Sequence, residues 1–171
     1  KVDIDCDDRT MIRKKYGVPT DKKIFVYGGN LGKPQGIDFV VDCINECKNI
    51  EEAFFLIVGG GSETGKIKKY IDENNATNAM LIGTLPKLDY QLLANSCDVG
   101  LIFLDYRFTI PNFPSRLLSY LQASMPVLVA TDTNTDIGDI VENNGFGWKC
   151  MSNDVIAFRK SIEKALVSNI N

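Results

Sequence analysis

The sequence predicts an α/β protein with a doubly wound parallel sheet of about six strands and helices on both faces, and two patterns predict it. Short apolar runs recur, each followed by a turn and then by a segment of helical period. The runs are also near-continuous in apolar character rather than alternating, which suits strands covered on both sides.

The predicted strands are Ile24 to Tyr27, Phe54 to Val58, Ala79 to Ile82, Val99 to Leu104, Val127 to Ala130 and Gly145 to Cys150. The first covering helix is read over Gly36 to Lys48, where Ile37, Val40, Val41, Ile44 and Cys47 recur three or four apart and make one stripe. Further helices fit Gly65 to Glu73, Lys87 to Ser96, Pro114 to Ala123, Ile137 to Asn143 and Val155 to Val167; in the last, Ile156, Ile162, Ala165 and Leu166 are expected to face inward. Residues 1–20 fit this alternation poorly. They read as a charged linker segment ahead of a single Rossmann-like domain spanning residues 21–171.

At 171 residues the chain has the length of one domain with one sizeable core. Hydrophobic residues make up 44% and charged residues 24%, the ordinary globular range. A net charge of −3 gives no support for a nucleic-acid partner. No apolar run approaches the roughly 18 to 20 residues that cross a bilayer, and no secretory signal opens the chain. A chain that starts at Lys1 without methionine reads as a piece of a longer protein. The five cysteines, with no CxxC pair and no histidine anywhere, point to reduced, mostly buried thiols in a cytoplasmic setting rather than a metal site.

In an open α/β sheet, ligands sit at the carboxyl ends of the strands where the strand order reverses. The loop after the first strand is Tyr27 to Gly36, YGGNLGKPQG. It lies where glycines let backbone amides approach a phosphate. It meets neither GxGxxG nor GxxxxGK[ST], because the glycine spacing differs and Lys33 precedes Pro34. Gly59, Gly60 and Gly61 occupy the end of the second strand, where a nicotinamide enzyme needs an acid for the ribose, so NAD is disfavoured. The structural alternative is that Gly28 and Gly29 make only a tight turn.

The second rich stretch is Arg107 to Pro126, RFTIPNFPSRLLSYLQASMP. Asn112 and Ser115 are candidate helix caps, Pro114 suits a first turn, and Arg116 then falls inside that turn. A helix start beside an arginine suits a pyrophosphate, although a single arginine is more commonly a solvated cation.

Taken in order, YGGNLGKPQGID, FLIVGGGSE, LIGTLPKLDYQLLANSCDVGLI, PSRLLSYLQASMPVLV and DIVENNGFGW resemble the nucleotide-sugar-binding half of retaining GT-B glycosyltransferases, group 1, in particular the branch that builds capsule and O-antigen polysaccharides. The likeness covers about residues 15 to 165. It implies that Gly28, Gly29, Asn30, Gly32 and Gln35 face the donor diphosphate, with Asn30 and Gln35 standing where the family's common form has an arginine and a lysine. Lys33 then substitutes for the missing cations. Gly60 lines the cleft, and Gly83, Thr84, Leu85 and Pro86 face the base. The family's E-x7-E pair falls on Pro111 and Ser119, leaving Ser119 for the ribose and Asn112 and Phe113 for the sugar. Arg116, in the PSR opening of its helix, pairs with the diphosphate.

The resemblance further implies a metal-independent hexosyl transfer without a cofactor, in which Lys33 and Arg116 stabilise the leaving phosphate. The donor is a nucleoside-diphosphate sugar, UDP favoured. A glycan or lipid-linked acceptor would be held by an N-terminal domain absent from this chain, so the fragment alone is expected to be inactive, and the full enzyme to work at the inner membrane face. Asp98 and Asp105, which flank the fourth strand, do not make a metal-binding DxD pair and are expected to be structural. Two alternatives are half of a nucleotide-sugar epimerase and a noncatalytic nucleotide-binding domain. The absent histidines weigh against the first, and the lack of clustered aspartates after the first strand weighs against a receiver.

Overall fold

The computed structural model describes residues 5–107 and 114–168. In chain order the elements are α1 (Cys6–Lys15), β1 (Lys23–Asn30), a 3-10 turn (Lys33–Gln35), α2 (Ile37–Glu46), β2 (Ala53–Gly60), α3 (Thr64–Asn74) and β3 (Ala79–Ile82). There follow α4 (Lys87–Asn95), β4 (Val99–Phe103), α5 (Ser115–Gln122), β5 (Val127–Thr131), α6 (Ile137–Asn143), β6 (Gly147–Met151) and α7 (Val155–Val167). The six strands form one sheet in the order β3-β2-β1-β4-β5-β6, every described neighbour pair parallel.

The predicted strands and helices therefore form in place, with boundaries shifted by up to three residues; in α7 Ile162 and Ala165 face inward as expected, whereas Ile156 is exposed. The near-continuous apolar runs follow from burial on two faces: all of Ile24 to Tyr27 and all of Phe54 to Val58 are buried. Odd and even residues of β1 divide between two cores. Phe25 and Tyr27 join Ile37, Val40, Ile44, Ile67, Phe158 and Ile162, from α2, α3 and α7. Ile24 and Val26 join Leu93, Leu117, Tyr120, Ile137 and Val141, from α4, α5 and α6. Burying each large apolar side chain contributes about 1.5–3 kcal/mol before cavity effects.

The charged segment ahead of the sheet folds into α1. Asp5 caps it by accepting from the Asp8 N–H at 2.8 Å. Arg9 and Arg13, one helical turn apart, both donate to Asp98, at 2.7 and 2.8 Å, and Arg13 also reaches the Ser96 carbonyl. Asp98 in turn accepts from the Ile24 N–H at 2.7 Å, which joins helix, sheet and α4–β4 turn at one carboxylate.

Strand order reverses between β1 and β4. There the described register contains only two pairs, Phe25 with Val99 and Val26 with Gly100. The Tyr120 hydroxyl sits at this fork, donating to the Val26 carbonyl at 3.1 Å and lying 3.5 Å from that of Leu101. The strands thus part where an open α/β sheet places its ligand crevice.

Candidate functional site

The carboxyl end of β1 carries the tightest geometry. Gly29 has φ 129°, a region side-chain-bearing residues rarely adopt. A Cβ there would also collide with the Arg116 guanidinium. At Gly28 it would collide with the Tyr90 phenol. The two glycines therefore do more than turn the chain: their missing side chains are the space that Arg116 and Tyr90 occupy.

Arg116 belongs to the first turn of α5 and is half-buried, and it has no carboxylate partner among the described residues. Its Cζ lies 5.0 Å from the ring centroid of Tyr27, a cation–π contact. Tyr27 is 1% exposed and donates its hydroxyl to the Asn30 carbonyl at 2.7 Å. Burial raises its pKa, offset in part by Arg116. Burial likewise raises that of Tyr90 and pushes that of Tyr120 well up, so all three phenols are neutral at pH 7. The Tyr90 hydroxyl is buried and has no hydrogen-bond partner among the described residues.

Pro114, not Ser115, holds the cap position of α5; Ser115 is its first residue, and no side chain among the described residues caps the helix. The Leu117 N–H donates to the Pro114 carbonyl at 3.1 Å, while the N–H groups of Ser115 and Arg116 have no acceptor among the described residues.

The loop after β1 is ordered by its own amides. Gln35 accepts from the Gly32 N–H at 3.2 Å and from the Asn30 amide at 3.4 Å. The Pro34 carbonyl accepts from the Asp105 N–H at 2.9 Å, which ties the loop to the end of β4. A Cβ at Gly60 would come within about 3.3 Å of the Thr84 hydroxyl oxygen, so the turns after β2 and β3 lie close together there, while Gly83 is exposed and a Cβ on it would meet no atom. Leu85 is half-buried against the Leu56 and Val58 cluster.

Gly28, Gly29 and Arg116 thus converge, and Asn30, Gly32 and Gln35 form one loop. Lys33 stands apart, exposed and lining a groove of about 390 Å³ with Gly36, Asp38, Glu63, Lys66 and Arg107. Ser119 is exposed on α5 and lines a groove of about 450 Å³ with Lys87, Tyr90 and Gln91. Asn112 and Phe113 lie outside the described residues.

Asp105 is 7% exposed, and Arg107 grips both its oxygens, at 2.9 and 2.6 Å. That hydrogen-bonded guanidinium holds the carboxyl below its ordinary range. Asp98 and Asp105 are both committed to protein partners, as structural acids. No group of three or more Cys, Asp or Glu residues able to hold a metal ion occurs among the described residues. Four cysteines are buried and all five are free. Tyr27, Tyr90 and Tyr120 were not among the expected site residues. Their one signal in the sequence is the small residue opposite each of two of them, Gly28 for Tyr90 and Gly100 for Tyr120.

Comparison with known proteins agrees with this architecture. The chain is 29% identical over 143 residues to a probable glycosyltransferase, WbjE, of Pseudomonas aeruginosa, covering 84% of this chain and 36% of the relative. It is 24% identical over 138 residues to the putative colanic acid biosynthesis glycosyl transferase WcaI of Escherichia coli (strain K12), covering 79% of this chain and 33% of the relative. It thus spans only about a third of the length of these curated relatives. Anabaena Alr3699/HepE, solved in complex with UDP-glucose, superposes with a TM-score of 0.77 at 15% identity, over 96% of this chain and 44% of that one. The C-terminal domain of LpcC, a glycosyl transferase group 1 family protein from Francisella tularensis, gives 0.71 at 11% identity, over 97% and 89%. The fold is a Rossmann-like GT-B half. The family described as "Glycosyl transferases group 1" matches residues 8–170, and the chain belongs to it.

Proposed function

We propose that this chain binds the nucleoside-diphosphate part of an activated sugar for a glycosyltransferase of polysaccharide synthesis, with UDP as the favoured nucleotide. The observation that carries this reading is the Arg116 guanidinium, held against Gly29 without a carboxylate partner among the described residues. A half-buried cation with no carboxylate partner among the described residues, beside a helix start that none of their side chains caps, suits a diphosphate at the switch point. The neighbour solved with UDP-glucose supports the same class of ligand.

In retaining transfer the bond between the anomeric carbon and the phosphate oxygen breaks, and negative charge grows on the departing diphosphate. Groups that meet that charge more strongly in the transition state than in the ground state accelerate the step. Arg116 and the leading amides of α5 meet it directly, while Lys33, with no acidic partner among the described residues, adds charge from the side of the loop. Each such donor contributes about 1.5–3 kcal/mol when the partner is charged. The transfer is proposed to need no metal, and the acceptor, a glycan or a lipid-linked glycan at the inner membrane face, to bind a domain beyond this chain. By that reading the 171 residues alone bind donor but do not turn over.

Thermal melting with UDP, GDP, CMP and NAD tests the proposal, because a ligand that binds only the native state raises the melting temperature. The expected result is a rise with a nucleoside diphosphate that survives EDTA. A rise with NAD, or none with any nucleotide, contradicts it.

A further inference from the structure

The geometry points to Tyr27 as the residue that positions Arg116 for the diphosphate, an inference that rests on the donor-binding reading above. Three observations converge on it. The Tyr27 ring lies 5.0 Å from the Arg116 Cζ, its hydroxyl is fixed on the Asn30 carbonyl at 2.7 Å, and Gly29 leaves the guanidinium room beside it.

The ring is itself immobilised. It packs on Phe103 at 5.9 Å, Phe103 stacks on Phe158 at 5.7 Å, and Phe39 meets both edge-on. A fully buried side chain packed on the edge of an aromatic cluster has little rotamer freedom left, so it offers a rigid platform at the end of β1.

A carboxylate would also orient an arginine, but it would neutralise the charge and occupy the planar fork of N–H donors. An aromatic face orients the guanidinium while leaving its charge intact for an incoming anion. The Tyr27 hydroxyl adds a second function. By donating to the Asn30 carbonyl, it occupies that acceptor and fixes the loop that begins there. Tyr27 thus joins both halves of the anion site, the glycine loop and the α5 arginine, through one side chain.

The test uses the 171-residue chain and two readouts. The first is the Arg116 Nε–H signal in NMR, assigned by its disappearance in Arg116→Gln. The second is calorimetric titration with inorganic pyrophosphate, which carries no base. The expected result is an ordered Arg116 signal displaced by the Tyr27 ring current, kept in Tyr27→Phe and returned to the position of a free arginine in Tyr27→Leu. Pyrophosphate affinity should fall about 3- to 30-fold in Tyr27→Leu, the range expected for a partly desolvated cation–π contact, and less in Tyr27→Phe. Tyr27→Leu with an unmoved Arg116 signal and unchanged affinity overturns the inference. So does Tyr27→Phe losing the signal, and that variant decides alone if Tyr27→Leu does not fold. If the signal depends on the ring but neither pyrophosphate nor UDP binds, the positioning role stands and the donor-binding proposal falls.

Discussion

Gly29→Ala separates a glycine that only turns the chain from one that makes room for a functional cation. At φ 129° an alanine is strained, at a cost of about 1–3 kcal/mol of stability. Its Cβ would also overlap the Arg116 Nη2 and lie 2.5 Å from Cζ. The obstructing atoms are the far end of a flexible side chain, so the clash is relieved by swinging Arg116 away, at little further cost to folding. That swing removes the guanidinium from Tyr27 and from the proposed diphosphate position. Losing one charge-assisted contact of about 1.5–3 kcal/mol corresponds to about a 10- to 100-fold weaker UDP complex. Urea unfolding measures the first effect and titration calorimetry the second. Gly83→Ala is the matched control: Gly83 is exposed, has no positive φ and has no atom near its missing Cβ, so its stability should stay within about 0.5 kcal/mol of wild type. A Gly29→Ala protein with both wild-type stability and wild-type UDP affinity would refute the reasoning.

Further outcomes follow from the same contacts. Arg116→Gln should abolish the UDP-dependent rise in melting temperature while leaving the unliganded melting temperature close to wild type, since no described carboxylate depends on Arg116; a variant that still responds to UDP would contradict this. Asp98→Ala leaves the largely buried Arg13 without its carboxylate and the Ile24 N–H without its acceptor, so it should cost about 3 kcal/mol in urea unfolding, the low end for breaking a buried pair, because Asp98 retains some exposure and Arg13 keeps the Ser96 carbonyl. Hydrogen exchange should show α1 losing protection in that variant first. Burial pushes Cys47, Cys97 and Cys150 up to about 12 from an ordinary value of 9.0, and Cys43 up as well. The folded state therefore keeps these protons when the unfolded chain has lost them. Their contribution is fully present below pH 9 and is lost as pH rises toward 12, with a slope of about 1.4 kcal/mol per pH unit for each thiol. Urea midpoints at pH 8 and pH 10.5 check the sign, and a thiol reagent at pH 8 should find one fast cysteine, the exposed Cys6, in the native protein.

The fold was legible because burial on both faces writes itself into β1 and β2 as unbroken apolar runs, and because α2 shows its inward stripe at helical spacing. Helix α1 was harder to read. Its usefulness lies in Arg9 and Arg13 meeting Asp98, and a pair of arginines about 85 residues from its acid looks in sequence like any solvated face. The proposed anion site was legible in part. A glycine-rich loop after the first strand and an arginine at a helix start each signal phosphate chemistry on their own, and they pointed to Gly28, Gly29 and Arg116. That Arg116 fills the space left by Gly29 depends on two segments brought together across the sheet, and no spacing rule states it. The tyrosines escaped notice for the same reason: Tyr27 lies in a predicted strand and Tyr90 and Tyr120 in predicted helices, and no spacing shows that Tyr90 packs against Gly28 and that the Tyr120 hydroxyl reaches the Val26 carbonyl. Ser115 was expected to cap α5 from its residue type, but Pro114 precedes it with extended backbone and takes that position.

The most direct test of the central claim is a crystal structure of the chain with UDP bound. The diphosphate is predicted to lie over Gly29, within hydrogen-bonding distance of the Arg116 guanidinium and the first amides of α5. A diphosphate bound elsewhere on the molecule, with Arg116 still resting on Tyr27 and touching no phosphate oxygen, would contradict the account.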